Sequence, residues 1–398
     1  MNQPKTSSTM RTLITNAQIY TGFEASDSII ENGALLIQSG KILKIYASDE
    51  GQPGYDHEDH DFDHTQIINL KGRRLGPALI DLQINGGYQQ YFSKDPSASS
   101  LLDIATACKD FGTLHFLPTL ISSPTEVIIQ SLNAVQNFQA DYPEAGVLGM
   151  HLEGPFFNPV KRGAHSASIV RRPTDKELEL IVQEGKGIIK IMTLAPEMFS
   201  DDQIRYLMDQ GILIAAGHSD MSYEQAMHYF DMGIHLVTHL YNAMSPFGSR
   251  SPGFTGAALE RAGVWTPIIL DGHHVHYGAA RIAHQLKQQQ LLLITDSSFL
   301  GRKVQDFVWA DFNAKMIAGT YRNQEGNLAG AAISMVEALQ NALRYLEVTE
   351  QEALAMATSR PARAINMDHE IGYIAGGYPA RFCVFDAGFK NLEPLIVS

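Results

Sequence analysis

The 398-residue chain reads as an α/β protein, a (β/α)8 barrel beside a small β domain built from both chain ends. Three observations carry that expectation. From Pro77 onward, short apolar runs alternate with helical stretches, the pattern of parallel strands joined by crossover helices. The segments flanking this alternation, 11–75 and 372–386, read as short strands with no long helix among them. Several apolar runs also end in polar residues able to bind ligands, along the rim where barrels and open sheets place their chemistry. A doubly wound open sheet satisfies the same strand count. The expected division is 1–75 with 366–398 for the β domain and 76–365 for the barrel.

Composition narrows the function classes. Hydrophobic residues make up 44% and charged residues 18%, ordinary for a soluble globular protein. A formal net charge of -13 argues against non-specific nucleic-acid or acidic-membrane binding, yet leaves room for a local basic pocket. Cys108 and Cys383 stand far apart without a CxxC, so no disulfide framework is expected. The start, M-N-Q-P-K-T-S-S-T-M-R, lacks an apolar leader and no run reaches membrane-spanning length; the cytoplasm is the expected compartment.

In chain order, 1–10 reads as a loose polar tail and Arg11–Tyr20 as the first strand. Ala34–Gln38 and Ile42–Tyr46 follow as a hairpin about Ser39-Gly40-Lys41, then Gln66–Leu70. The intervening tract Asp56–His64, D-H-E-D-H-D-F-D-H, reads as a solvated loop, since flexible acidic-histidine tracts bind metals without doing chemistry. The barrel strands are expected at Ala78–Ile84, Leu114–Leu120, Val147–Glu153, Ile188–Leu194, Ile212–His218, His235–Leu240, Pro267–Asp271 and Leu291–Asp296. Ala98–Phe111, Glu126–Ala140, Asp201–Gln210 and Ala279–Gln289 are among the helices between them. A Gly-rich excursion from Asp296 to Gly330 has the character of a hairpin, before helices Ala332–Leu346 and Thr349–Thr358. Gly372–Asp386 returns to strand character at Phe382-Cys383-Val384-Phe385.

The stretch Ile212–Met244 organises the rest. Two apolar runs flank a helix that Ser222 can cap and whose Ala226, Phe230 and Met227 point inward. This strand–helix–strand unit carries His218 and His239 at equivalent strand ends, so both imidazoles face one rim. Other strand ends bring Gln83, Glu153, Asp271 with His274, and Asp296 to the same rim. Such groups must be solvated, paired or metal-bound. Glu153, His218 and His239 make a two-His, one-carboxylate set for a divalent ion, zinc foremost, with iron, cobalt or manganese as substitutes. Asp296 is then the natural proton acceptor; taken alone it would read as a helix cap.

Together H-L-E-G-P-F-F-N-P-V-K-R-G-A-H, G-H-S, T-H-L-Y-N-A-M, D-G-H-H-V and T-D, in this order and spacing, resemble the N-acetylglucosamine-6-phosphate deacetylases of the amidohydrolase superfamily. The likeness runs from about Asn16 to Asp386. It implies a TIM-like barrel with a split β-sandwich domain, hydrolysis of an acetamido group, and a homodimer. The family's metal ligands fall on Glu153, His218 and His239, and its catalytic carboxylate on Asp296. Its substrate contacts fall on Ala164 and His165, Asn242 and Ala243, and Arg250. Further contacts fall on Asp271, Gly272, His273 and His274, and on Leu328, Ala329 and Gly330. His165 is placed near the carbonyl under attack; Asn242 and Ala243 would offer an amide and a backbone N–H to phosphate. Arg250, in a Gly/Ser/Pro loop, is the cation for a phosphate dianion, supplied in some relatives across the dimer interface.

The chain departs from the pattern it resembles in three places. Gln83-Ile84-Asn85 stands where many amidohydrolases carry H-x-H, and neutral amides are poor ligands, so one catalytic ion is expected. Leu75-Gly76-Pro77-Ala78 replaces P-G-F or P-G-L, which alters a turn. Ser297-Ser298 follows Asp296 where Ala-Met is commoner, changing the packing under the acetyl group. Two other functions fit parts of the pattern: deacetylation of N-acetylgalactosamine 6-phosphate, and a non-catalytic scaffold. Retention of Glu153, His218, His239 and Asp296 together weighs against the scaffold.

Overall fold

The computed structural model of the chain describes residues 11–25, 28–47, 65–309 and 312–398; the tail 1–10 and the tract Asp56–His64 lie outside them. β1 (Arg11–Tyr20) pairs antiparallel with β2 (Ile29–Gln38), and β2 with β3 (Lys41–Tyr46). Ser39 and Gly40, at φ +52° and +70°, turn the second hairpin. Two positive values are those of a type I′ turn, whose twist suits the flanking strands. β4 (Thr65–Asn69) and β5 (Arg74–Pro77) pair parallel with β1. The Leu75-Gly76-Pro77 segment, expected as a turn, is thus a strand. A Cβ on Gly76 would come within 2.7 Å of Leu354 Cδ2, so any larger residue would have to displace that side chain.

β6 (Leu79–Ile84), β7 (Thr113–Ile121), β8 (Met150–Glu153), β9 (Ile189–Leu194), β10 (Leu213–Ala216) and β11 (Leu236–Val237) form one curled parallel sheet in that order. β12 (Thr266–Ile269) and β13 (Leu291–Ile294) pair parallel with each other. Every residue of β6 and β7 is buried. Strands covered on both faces have no solvent side to alternate with, which is why they read as unbroken apolar runs. Seven helices lie along this stretch: α1 (Ala98–Asp110), α2 (Thr125–Asp141), α3 (Asp175–Glu184), α4 (Asp201–Asp209), α5 (Tyr223–Asp231), α6 (Gly253–Glu260) and α7 (Tyr277–Lys287). Ser200 and Ser222 close capping boxes with Gln203 and Gln225 at the starts of α4 and α5. Ala226 and Phe230 of α5 are buried and Met227 is half-buried against the same core as the strands.

β11 is far shorter than the apolar run His235–Leu240 suggests. His239, Tyr241 and Ala243 take φ of +28°, +77° and +51°, and left-handed residues cannot continue a ladder. Beyond β13 the Gly-rich excursion holds three strands rather than a hairpin: β14 (Asp306–Trp309), β15 (Phe312–Ile317) and β16 (Thr320–Asn323). Their Phe307, Phe312 and Tyr321 pack with Tyr91 and Phe299 in a cluster separate from the core around the parallel strands.

α8 (Met335–Asn341) runs into a π-helical turn at Ala342–Leu346, followed by α9 (Glu350–Met356) and α10 (Ser359–Ala364). β17 (Arg381–Asp386) then pairs with β5, and β18 (Lys390–Ile396) with β17, both antiparallel. Both flanks of the chain therefore share one seven-stranded sheet, over a core that includes Ile14, Leu35, Leu75 and Phe382. Among the described residues no helix is long and apolar enough to cross a membrane.

Candidate active site

Above the carboxyl ends of the parallel strands lies a cleft of about 520 Å³, within the range of roughly 300–1,000 Å³ usual for small-molecule sites. Glu153 closes β8, His218 follows Gly217 after β10, and His239 stands two residues beyond β11. Glu153 Oε1 lies 3.3 Å from His218 Nε2 and 3.2 Å from His239 Nε2, and the two imidazole nitrogens are 3.1 Å apart. Ligand atoms about 2.0–2.2 Å from a tetrahedral ion sit roughly 3.4 Å from one another, so this triangle has the right size for one ion. His218 and Asp296 share the left-handed backbone of His239, at φ +49° and +48°. Strained non-glycine residues of this kind cluster where side-chain aim matters more than backbone comfort.

Electrostatics agree with a cation site. Burial alone would raise the Glu153 carboxyl, yet the imidazoles of His218 and His239 beside it hold it well below the ordinary carboxylate range. Burial pushes the His218 imidazole down, against the pull of Glu153. An ionised carboxylate and a neutral imidazole are the forms that ligate. The His218 ring is stacked on Phe157 at 4.1 Å, and its Nδ1 donates to the Lys161 carbonyl at 2.9 Å, which leaves the Nε2 lone pair facing Glu153.

His165 also comes within 4.8 Å of Glu153 and His218 through a ring nitrogen, so two overlapping triads compete for an ion. Its hydrogen bonds decide between them. The Ser122 backbone N–H donates to His165 Nδ1 at 3.3 Å, and the Ser122 hydroxyl lies 2.9 Å from the same nitrogen. Nδ1 is thus an acceptor. Burial pushes the ring down to about 3, so it is neutral and its one proton sits on Nε2. A nitrogen that carries a proton donates rather than ligates.

Asp296 faces the triangle from the end of β13. Its Oδ1 accepts from Asn85 Nδ2 at 2.8 Å and from Gln83 Nε2 at 3.2 Å. The same Gln83 nitrogen donates to Glu153 Oε1 at 3.1 Å. The Q-x-N pair that displaces H-x-H thus does specific work: its amide protons bridge two carboxylates. Burial first, and the Glu153 charge second, push Asp296 up to about 7.

The remaining expected contacts divide. Ala164, Asn242, Ala243, His274, Leu328, Ala329 and Gly330 line the cleft. Asp271 does not; its Oδ2 lies 2.7 Å from His274 Nδ1 and its Oδ1 accepts the N–H groups of His273 and His274, so it fixes the ring of His274. Gly272 turns at φ +76° against the Tyr277 ring, and His273 is exposed. Asn242 commits its amide protons to the carbonyls of His239 and Leu240, which leaves its Oδ1, not its N–H groups, for a ligand. Arg250 is exposed and outside the cleft of this single chain. The cations that do line it are Lys161, 3.3 Å from Asp220, and Arg162, whose Nη2 lies 2.8 Å from both oxygens of Glu325. Sequence reasoning passed over both, although they stand side by side in the K-R-G-A-H loop. Tyr91 and Phe312 were missed as well; Phe312, stacked on Tyr91, brings the excursion after β13 to the cleft wall.

Residues 75–397 match the amidohydrolase family. The chain is 30% identical over 391 residues to the N-acetylglucosamine-6-phosphate deacetylase of Haemophilus influenzae, covering 97% of this chain and 98% of that one. It is 36% identical over 319 residues to the N-acetylgalactosamine-6-phosphate deacetylase of a Shewanella species, covering 80% of each. Among solved structures, N-acetylglucosamine-6-phosphate deacetylase from Pasteurella multocida superposes with a TM-score of 0.88 at 29% identity, over 97% of this chain and 98% of that one.

Proposed function

The chain belongs to the amidohydrolase family, and from that membership we propose a reading of its cleft: hydrolysis of the acetamido group of N-acetyl-D-glucosamine 6-phosphate to D-glucosamine 6-phosphate and acetate. The observation that carries it is the Glu153–His218–His239 triangle facing Asp296, the two halves tied through Gln83. The full-length likeness to deacetylases of this sugar phosphate supports the substrate class.

Glu153, His218 and His239 fit a single divalent ion by their spacing, and the neutral amides of Gln83 and Asn85 offer no second set of ligands. Zinc suits two imidazoles and a carboxylate best, with iron, cobalt and manganese as substitutes. When bound, the ion supplies Lewis-acid polarisation of the acetamide carbonyl and acidifies water at neutral pH. Asp296, buried and poised near neutrality, takes a proton from the attacking water. As the C–N bond breaks, the nitrogen must leave as an amine, and the same carboxyl returns the proton to it. The His165 Nε2–H is a donor for the oxyanion that develops on the former carbonyl oxygen. His274, oriented by Asp271, reaches the same space.

The phosphate needs cations that a chain of net charge -13 must place deliberately. Lys161 and Arg162 are at hand in the cleft. Arg250 enters this reading as a contribution from the partner subunit of a homodimer, consistent with its exposure outside the single-chain cleft. The architecture we propose is a closed (β/α)8 barrel over 76–365 and a β-sandwich from 1–75 and 366–398. Parallel bridges Leu236–Trp265 and Ile84–Ser297 support closure on both sides of the β12–β13 pair.

The test is acetate release from the 6-phosphates of N-acetylglucosamine and N-acetylgalactosamine, with metal content measured on the same preparation. The gluco isomer is expected to be the better substrate. Preference for the galacto isomer would move the assignment to the other sugar, and no acetate from either would refute the reading.

A further inference from the structure

The two histidines of the triangle are held differently. His218 has the ring-to-carbonyl bond, Nδ1 to Lys161, that ligating imidazoles ordinarily make. His239 does not: its Nδ1 is buried and has no hydrogen-bond partner among the described residues. Its backbone is left-handed, and the strand before it is two residues long. Something else must aim this ring.

Beneath the triangle runs a buried chain of hydrogen bonds across four strands. Thr238, the residue before His239, has its hydroxyl 2.8 Å from the Thr193 hydroxyl. Thr193 Oγ1 is 2.7 Å from His151 Nε2, and His151 Nδ1 is 3.1 Å from the Leu82 carbonyl. A carbonyl only accepts, so His151 carries a proton on Nδ1 and meets the Thr193 hydroxyl through Nε2. The Thr193 hydroxyl passes the connection on to Thr238. Each member adjoins a residue of the site: Leu82 precedes Gln83, His151 lies two residues before Glu153 on the same strand face, and Thr193 is the ladder partner of Glu153. The threonine methyls touch the third ligand's neighbour as well. A Cβ on Gly217, just before His218, would lie 2.7 Å from Thr238 Cγ2 and 2.9 Å from Thr193 Cγ2. The void beside the chain is only about 10 Å³, at the lower limit for one water, so solvent is poorly placed to replace a lost hydroxyl.

We infer that the His151–Thr193–Thr238 chain is the positioning device for His239, doing through the backbone what the Lys161 carbonyl does directly for His218. This rests on the reading of Glu153, His218 and His239 as ligands of one ion. The three residues are positioning residues; none touches the substrate.

Valine has the shape of threonine without its hydroxyl, and serine has the hydroxyl without the methyl. The affinity of chelator-stripped full-length protein for Zn2+ is measured by competition with a chromophoric chelator, beside the melting temperature of the metal-free protein. Thr193→Val and Thr238→Val are each expected to bind Zn2+ about tenfold or more weakly, the lower end of what outer-shell partners usually contribute, with the metal-free melting temperature nearly unchanged. Thr193→Ser is expected to hold Zn2+ close to wild type. Unchanged affinity in both valine variants overturns the inference, and so does a serine variant as weak as the valine one. Loss of Zn2+ that merely follows a fall in metal-free melting temperature overturns it too. The ligand reading has its own control. If Glu153→Gln binds Zn2+ as the wild type does, that reading fails, and the inference with it.

Discussion

Asn85→Leu isolates the influence of one hydrogen bond on the proposed base. Asn85 Nδ2 donates to Asp296 Oδ1 at 2.8 Å, while its own Oδ1 is buried without a partner among the described residues. Leucine is close to asparagine in size, so the change deletes the donor and one orphaned acceptor with little loss of packing. A hydrogen bond to a charged group contributes about 1.5–3 kcal/mol, and 1.36 kcal/mol corresponds to one pKa unit. Removing it should lift the Asp296 carboxyl, already near 7 through burial and the Glu153 charge, by roughly one to two units. The base acts ionised, so at neutral pH its ionised share should fall from about half to roughly 1–10%. kcat/KM should then drop about 5–50-fold and return as the pH is raised by one to two units. The divalent ion moves both curves together, so the displacement between wild type and variant is the quantity to read. Acetate release as a function of pH, with metal content on the same samples, measures it. An equal loss at every pH, or no loss at all, would refute the role given to this bond.

Four further outcomes are expected. Asp296→Asn should keep metal and substrate yet lose on the order of 10²–10⁴-fold in kcat; near-wild-type turnover removes Asp296 from the mechanism. The purified protein should hold about one tight divalent ion per chain, and Glu153→Gln or His218→Ala should abolish both ion and activity; two tight ions by elemental analysis would contradict the part given to Gln83 and Asn85. Arg250→Lys should raise KM for the phosphorylated sugar and spare the weak reaction of the unphosphorylated one, because lysine cannot copy a bidentate contact; mixed Arg250→Ala and Asp296→Asn dimers should regain activity if the arginine acts in trans, and equal damage to both substrates makes it structural. Burial pushes the Asp81 carboxyl up to about 6, against hydrogen bonds from Thr295 and Gln83. The folded chain keeps that proton where the unfolded chain has released it, so this contribution to stability is full in acid and is lost as the pH rises through about 6. Asp81→Asn should flatten that decline in denaturant titrations, and a decline of unchanged size assigns it to other groups.

Sequence reasoning went furthest where a residue's fate depends on its immediate neighbours. β6 and β7 were readable because burial on both faces leaves an unbroken apolar run. Ser222 announced the start of α5 as a capping residue, which Gln225 completes in the structure, and the Ser39-Gly40 turn was announced by its residue types. Glu153, His218, His239 and Asp296 were singled out because each follows such a run at the rim, and the structure brings the four together in one cleft. What stayed hidden was set by distant partners. Nothing near Asp271 says that His274 would claim it, and nothing near Asn242 says that its amide would turn back on His239 and Leu240. The brevity of β11 comes from left-handed backbone at non-glycine residues, which residue type does not signal. Lys161 and Arg162 were quoted inside a motif, but which loop cations face a cleft is a matter of tertiary placement.

The pairing of β5 with β17 has a consequence for how the protein is made. Phe382 lies opposite Pro77 and Phe385 opposite Arg74, contacts that span about three hundred residues. On the ribosome β1 to β5 emerge early, and the whole stretch from β6 to α10 must be synthesised before β17 arrives to cover β5. Until then β5 offers an open edge with Leu75 and Pro77 bare, the kind of surface that recruits stray strands. Closure of this sheet is therefore a late and non-local event, slow by the entropy of the loop it shuts. A nascent chain stalled before Arg381 should be the form most in need of a chaperone, however well its parallel strands have already packed.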